Sequence, residues 1–115
     1  MRLSYDEEGD VLEVIFNERL HRARKKAYRL RQGIVLYVSV ETMKPVQLTL
    51  VSYRTLAQFP VVHFDGWQAL PTPDKERLLP IITSPKISAF LRLDPETGNG
   101  HLASRDVLEI LPVAA

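Results

Sequence analysis

The chain has 115 residues, 45% hydrophobic and 25% charged, with a formal net charge of +1. That is the balance of a folded chain of one-domain length, able to bury roughly 65% of its unfolded surface, and not of a disordered one. With no cysteine, disulfides, thiolate metal sites and a cysteine nucleophile are excluded, and so small a net charge exerts no bulk pull toward nucleic acid or membrane.

The first elements flank "YDEEGD". "RLSY" and "VLEVIF" alternate at period two, which places Leu12, Val14 and Phe16 toward a core and Glu13 toward water. No apolar run approaches the ~20 residues of a bilayer span. "MRLSYDEEGD" also lacks the apolar core of a signal peptide, so a cytoplasmic protein is expected. Charge is unevenly placed: residues 1–18 carry one Arg against six acids, whereas residues 19–31 carry seven Lys or Arg and no acid.

Within that basic stretch, "KKAYRLRQG" sets Tyr28 and Leu30 against Ala27, Arg29 and Arg31, a strand pattern. The wealth of Arg, Lys and Ala keeps a helix over 18–30 open as well. After Gly33, "IVLYVSV" and "VQLTLVSY" read as two strands about the turn "ETMKP". Short turns between these strands favour an antiparallel meander.

"RTLAQF" suits a short helix ended by Pro60. Prolines at 60, 71, 73, 80 and 85 mark the next segment, with Thr72 as N-cap, Pro73 at the first helical position and Pro80 limiting or kinking the helix "PDKERLL". Phe64 and Trp67 are expected to seal this segment against the sheet. "KISAFLRLD" alternates as a strand, with Ile87, Ala89, Leu91 and Leu93 on one face and Phe90 on the other. "PETGNG" is a loop, and "HLAS" and "VLEILP" complete a hairpin. The expected fold class is mainly β (β-rich α+β): an antiparallel meander over 3–56, a proline-rich helical cover over 57–85, and a C-terminal hairpin over 86–112. These form one domain over 1–115.

Asp6, Glu7, Glu8 and Asp10 raise the question of a metal loop or a catalytic carboxylate pair. A calcium loop begun at Asp6 needs glycine at its sixth position and glutamate at its twelfth, where this chain has Val11 and Asn17. Nothing indicates a partner for a carboxylate pair. The expected role is a solvated turn with a bulge, binding no metal.

The pattern "YDEEGDVLEVIF", a charged segment, then "GIVLYVSVETMKPVQLTLVSY" resembles the small prokaryotic domain-of-unknown-function family 2283. Tyr5, Asp6, Asp10, Leu12, Gly33 and the run Val46 to Val51 carry the match, over about residues 3–56. The resemblance implies a small β-meander and brings no catalytic residue. Some members are encoded beside small toxin-like proteins, which makes an antitoxin-like partner role conceivable. The chain departs from the family in its basic segment and in everything after residue 57.

"RLHRARKKAYRLRQ" admits a nucleic-acid or acidic-partner contact through Arg22, Arg24, Lys25, Lys26, Arg29 and Arg31, with Tyr28 as a stacking platform. It also admits a solvated face that the acidic first hairpin neutralises across strands, or an edge guarded against aggregation. "HFD" offers His63 and Asp65 as a base and its orienting acid. No serine stands in a nucleophile elbow, and no phosphate loop or metal-ligand spacing is present. No catalytic residue and no cofactor are expected. The second face of so apolar a sheet is expected to meet another copy as a twofold homodimer. The expected function is a non-catalytic protein-interaction or assembly domain; the alternative is a nucleic-acid-binding or antitoxin-like accessory protein.

Overall fold

Alternating apolar residues in the first half of the chain pair strand to strand, and their side chains fall in rows. The computed structural model describes residues 1–103. β1 (Arg2–Asp6) and β2 (Val11–Ile15) form a hairpin across the acidic turn, with Tyr5 opposite Leu12 and Leu3 opposite Val14. β3 (Lys25–Arg31), β4 (Ile34–Ser39) and β5 (Pro45–Val51) form an antiparallel meander. The two units join through β2 and β5, where Leu12 faces Leu50 and Val14 faces Leu48, giving the order β1-β2-β5-β4-β3. Between β2 and β3 the chain passes through α1 (Glu18–His21), whose N-cap Asn17 accepts a hydrogen bond from the Leu20 N–H at 3.1 Å. Residues 18–30 are thus helix at their start and strand at their end.

That strand order corrects one expectation. The acidic hairpin and the basic strand lie at opposite edges of the sheet, so their charges do not face each other within the chain. Aliphatic pairing decides the arrangement. Docking β2 on β5 continues the buried rows Leu12–Leu50–Ile34 and Val14–Leu48–Leu36. A fully buried Leu or Val contributes about 1.5–3 kcal/mol, against about 0–1 for an exposed ion pair.

On the core face of this sheet lie α2 (Tyr53–Ala57), α3 (Asp65–Gln68), α4 (Thr72–Ile82), α5 (Pro85–Ser88) and a second antiparallel sheet. That sheet comprises β6 (Val62–His63), β7 (Leu91–Leu93) and β8 (Asn99–Leu102), in the order β6-β8-β7. Tyr53, Phe64, Trp67, Leu78, Ile82 and Ile87 from this layer enter one continuous core with the first sheet. The architecture is the expected β-rich α+β class, with antiparallel sheets of five and three strands and short helices. No described helix is long and apolar enough to cross a membrane.

The second half departs from its sequence pattern in three places. β7 and β8 pair as the expected C-terminal hairpin, but they build a second sheet with β6 instead of joining the first, and "VLEILP" lies outside the described residues. "KISAF" is not strand. Pro85 opens α5, whose fold brings Ile87 and Phe90, three apart, into the core together, and the Ala103 N–H donates to the Phe90 carbonyl at 2.7 Å. The fourth helix runs to Ile82 through Pro80, because Leu78, Ile81 and Ile82 are buried while Pro80 itself faces solvent. Thr72 is its first residue and not its cap; the Pro71 carbonyl accepts from the Asp74 and Lys75 N–H groups at 3.0 and 3.1 Å.

Close backbone approach fixes the layers. A Cβ on Gly66 in α3 would collide with the Arg29 carbonyl and lie 2.8 Å from that of Leu30, so glycine lets the helix rest on β3. A Cβ on Gly100 in β8 would collide with the Arg92 carbonyl of β7.

Candidate functional site

The acidic turn is a structural junction. Asp6 Oδ1 accepts from the Glu8 N–H at 3.1 Å, closing the turn. Asp10, at φ 52°, turns its carboxylate to α2, 44 residues away in sequence. Oδ1 accepts from the Arg54 N–H at 2.8 Å and from the Tyr5 hydroxyl at 2.7 Å, and Oδ2 accepts from the Thr55 N–H at 3.3 Å. The Asp10 carbonyl accepts from the Tyr53 N–H at 3.0 Å. Asp10 therefore caps a helix whose own preceding residue, Ser52, is left-handed and makes no side-chain cap. Burial acts to raise the Asp10 pKa, but these hydrogen bonds outweigh it and hold the carboxyl below its ordinary value. Burial and the neighbouring carboxylate push the Tyr5 hydroxyl up to about 12, so it remains a donor. The carboxylate is committed to a cap, a role the sequence did not signal because the partner is remote. Among the described residues, no three His, Cys, Asp or Glu side chains gather as a metal site requires.

The six candidate cations do not form one cluster. Strand alternation sends Lys25 and Arg29 to the outer face of the five-stranded sheet and Lys26 to the other side. Lys25 Nζ donates to the His21 carbonyl at 2.8 Å and sits 5.4 Å over the Tyr37 ring. Lys26 stands 5.1 Å over Tyr28, beside a small hollow shared with Met43 and Arg77. Arg31 reaches the His63 carbonyl at 3.4 Å. Arg22 and Arg24 lie exposed in the segment between α1 and β3. His63 and Asp65 do not pair: His63 Nδ1 lies 2.9 Å from Asn99 Oδ1, and Asp65 opens α3 and accepts from the Gly66 N–H at 3.0 Å.

An open groove of about 610 Å³ lies between the end of α2, α5 and the β7–β8 pair, lined by Phe59, Pro60, Ser88, Arg92 and His101 among others. Arg92 and His101 are cross-strand partners at its wall.

The larger feature is the outer face of the five-stranded sheet. Its middle row runs Ser4, Glu13, Thr49, Val35 and Arg29 across all five strands. The next rows carry Val11 beside Val51, and Ile15, Gln47, Tyr37 and Ala27. At the latter end α1 abuts β5, and Ile15 and Gln47 are buried. Above it, Val11, Val35 and Thr49 are half-buried and Val51 is 39% exposed. A valine-rich patch in mid-sheet is thus flanked by an acid on β2 and a base on β3. Alternation in "IVLYVSV" located this face, but the order of its strands, and hence its charge polarity, came from pairing between distant segments.

Comparison of the chain with protein-family models, curated proteins and solved structures finds no match.

Proposed function

We propose that the protein is a non-catalytic, cytoplasmic protein-interaction or assembly domain acting as a homodimer. One observation carries this: the outer face of the five-stranded sheet presents Val11, Val35, Thr49 and Val51 to solvent in one patch, while the opposite face buries Leu12, Val14, Leu36, Leu48 and Leu50 in the core. A contiguous apolar patch with a polar rim is the surface a partner covers. Light scattering after size exclusion tests it. A dimer at micromolar concentration is expected, with Val35→Lys/Val51→Lys giving a folded monomer; a monomeric native chain overturns the proposal. We carry membership of family 2283 over residues 3–56 in the same way. It is supported by the joint role of Tyr5 and Asp10 at the hairpin and of Leu12 in the core.

A second function is favoured by a separate observation. Arg22, Arg24, Lys25, Lys26, Arg29 and Arg31 follow one another along the edge strand β3 and its approach. A nucleic-acid-binding or antitoxin-like accessory protein would use them against phosphates or an acidic partner. Fluorescence polarisation with RNA and DNA should then show salt-dependent binding lost in Lys25→Glu/Lys26→Glu. No binding at about 50 mM salt ends this reading.

A further inference from the structure

The two edges of the five-stranded sheet differ in kind. On β3 the register shifts between Arg29 and Arg31, Lys25 and Lys26 stand on the strand, and α3 rests on the Arg29 and Leu30 carbonyls. Such features keep an edge from pairing with another chain. β1 has no lysine, proline or register shift: Arg2 to Asp6 pair in unbroken sequence with Ile15 to Val11, and no described strand lies on the other side. We infer that β1 pairs antiparallel with β1 of a second copy about a twofold axis through Ser4, with Arg2 of each copy opposite Asp6 of the other. This contact goes beyond the outer-face dimer proposed above and does not rest on it.

Hydrogen bonds around β2 fix which groups of β1 are free. The Phe16 N–H donates to the Val46 carbonyl of β5, and the Val51 N–H turns from β2 to the Gly33 carbonyl. Backbone direction alternates along a strand, so Leu12, Val14 and Phe16 bond toward β5, and Val11, Glu13 and Ile15 toward β1. Their partners Arg2, Ser4 and Asp6 therefore bond to β2, and the N–H and C=O groups of Leu3 and Tyr5 point out of the sheet edge. Two such edges bond when outward residues stand opposite each other. Leu3 opposite Tyr5 achieves this on both sides of the axis. The same register sets Arg2 opposite Asp6 at both ends, on the outer face with Ser4. Sliding it to Leu3 opposite Leu3, or Tyr5 opposite Tyr5, puts a serine opposite the charge and brings two arginines or two aspartates onto the diagonal. Charge thus selects the register. Arg2 Nε lies 3.6 Å from Glu18 Oε1 in its own chain, and the remaining guanidinium N–H groups suit a second carboxylate. The paired strands are coplanar, so α1, against β5 on the outer face, does not stand between the copies.

The chain has no cysteine, so a single introduced one reports the register. The test uses the Val35→Lys/Val51→Lys background, whose outer face is blocked. There Ser4→Cys should form a disulfide dimer under mild oxidation, because Cα atoms of a non-hydrogen-bonded pair lie about 4.5 Å apart. Arg2→Cys and Asp6→Cys each stand about 14 Å from their own copies, so each should stay monomeric alone and cross-link when the two are mixed. Adding Arg2→Glu to the Ser4→Cys chain should slow the cross-link, and adding Asp6→Arg as well should restore it; circular dichroism checks that each variant is folded. A Ser4→Cys chain that does not cross-link, or equal cross-linking at all three positions, overturns the inference. If the lysine background unfolds, the same contrast among the three positions is read with the native outer face. A native chain that is monomeric at micromolar concentration removes the outer-face dimer and leaves the edge contact to this test. A native chain that dimerises while Ser4→Cys fails to cross-link does the reverse.

Discussion

The two sheets of this protein are stabilised in different ways. In the five-stranded sheet, strands of five to seven residues stack Leu, Ile, Val and Tyr in rows, so each strand contributes several buried pairs. In the three-stranded sheet, strands of two to four residues share few ladder positions. Strands that short cannot support themselves and depend on individual contacts. Trp67 Nε1 donates to the Pro95 carbonyl at 3.0 Å, Gly100 lies against the backbone of β7, and Gly66 sets α3 on β3. Long strands spread stability over many equivalent pairs, whereas short ones concentrate it in a few side chains.

Trp67→Ala should give the largest effect, about 3–5 kcal/mol in urea unfolding, because it removes a buried aromatic between the layers together with its hydrogen bond. Amide exchange should accelerate more in β6–β8 than in β4 and β5; uniform acceleration would mean that the two sheets do not differ as argued. Gly66→Ala should cost about 1–3 kcal/mol by forcing α3 off β3, and a neutral result would show that the layers have slack. Asp10→Ala should cost about 1–2 kcal/mol through loss of the α2 cap.

The pH dependence sharpens the last case. The folded pKa of Asp10 lies below its unfolded value. Its contribution is therefore complete above the unfolded carboxylate pKa of about 3.9 and disappears as pH falls through the lower folded value. Asp10→Asn should show a shallower decline of stability below about pH 4 than the native chain. Among the smallest effects, Arg22→Ala and Lys26→Ala should change stability by no more than about 0.5 kcal/mol. A larger loss would mark those cations as structural.

Alternation made the strands of the first half legible, with a helix over 18–30 left open, and located the buried positions Leu12, Val14 and Phe16, because a half-buried strand writes its period into consecutive residues. The acidic segment was legible as a turn for the same local reason. In "KISAFLRLD" the last part is strand as expected, but "KISAF" misled because Pro85 and a three-residue spacing outweighed an alternation that also fits a strand. Helix α4 outran its proline because burial of three apolar residues holds its last turn.

The amino-acid sequence by itself determined which segments pair locally and which of their faces are apolar, since both follow from neighbours in the chain. Only the tertiary structure decided that β2 joins β5, that Asp10 caps a helix 44 residues away, and that the acids and bases of the N-terminal third stand at opposite edges of one sheet. Those outcomes depend on how distant apolar rows match when they are buried together, and no local pattern encodes that match.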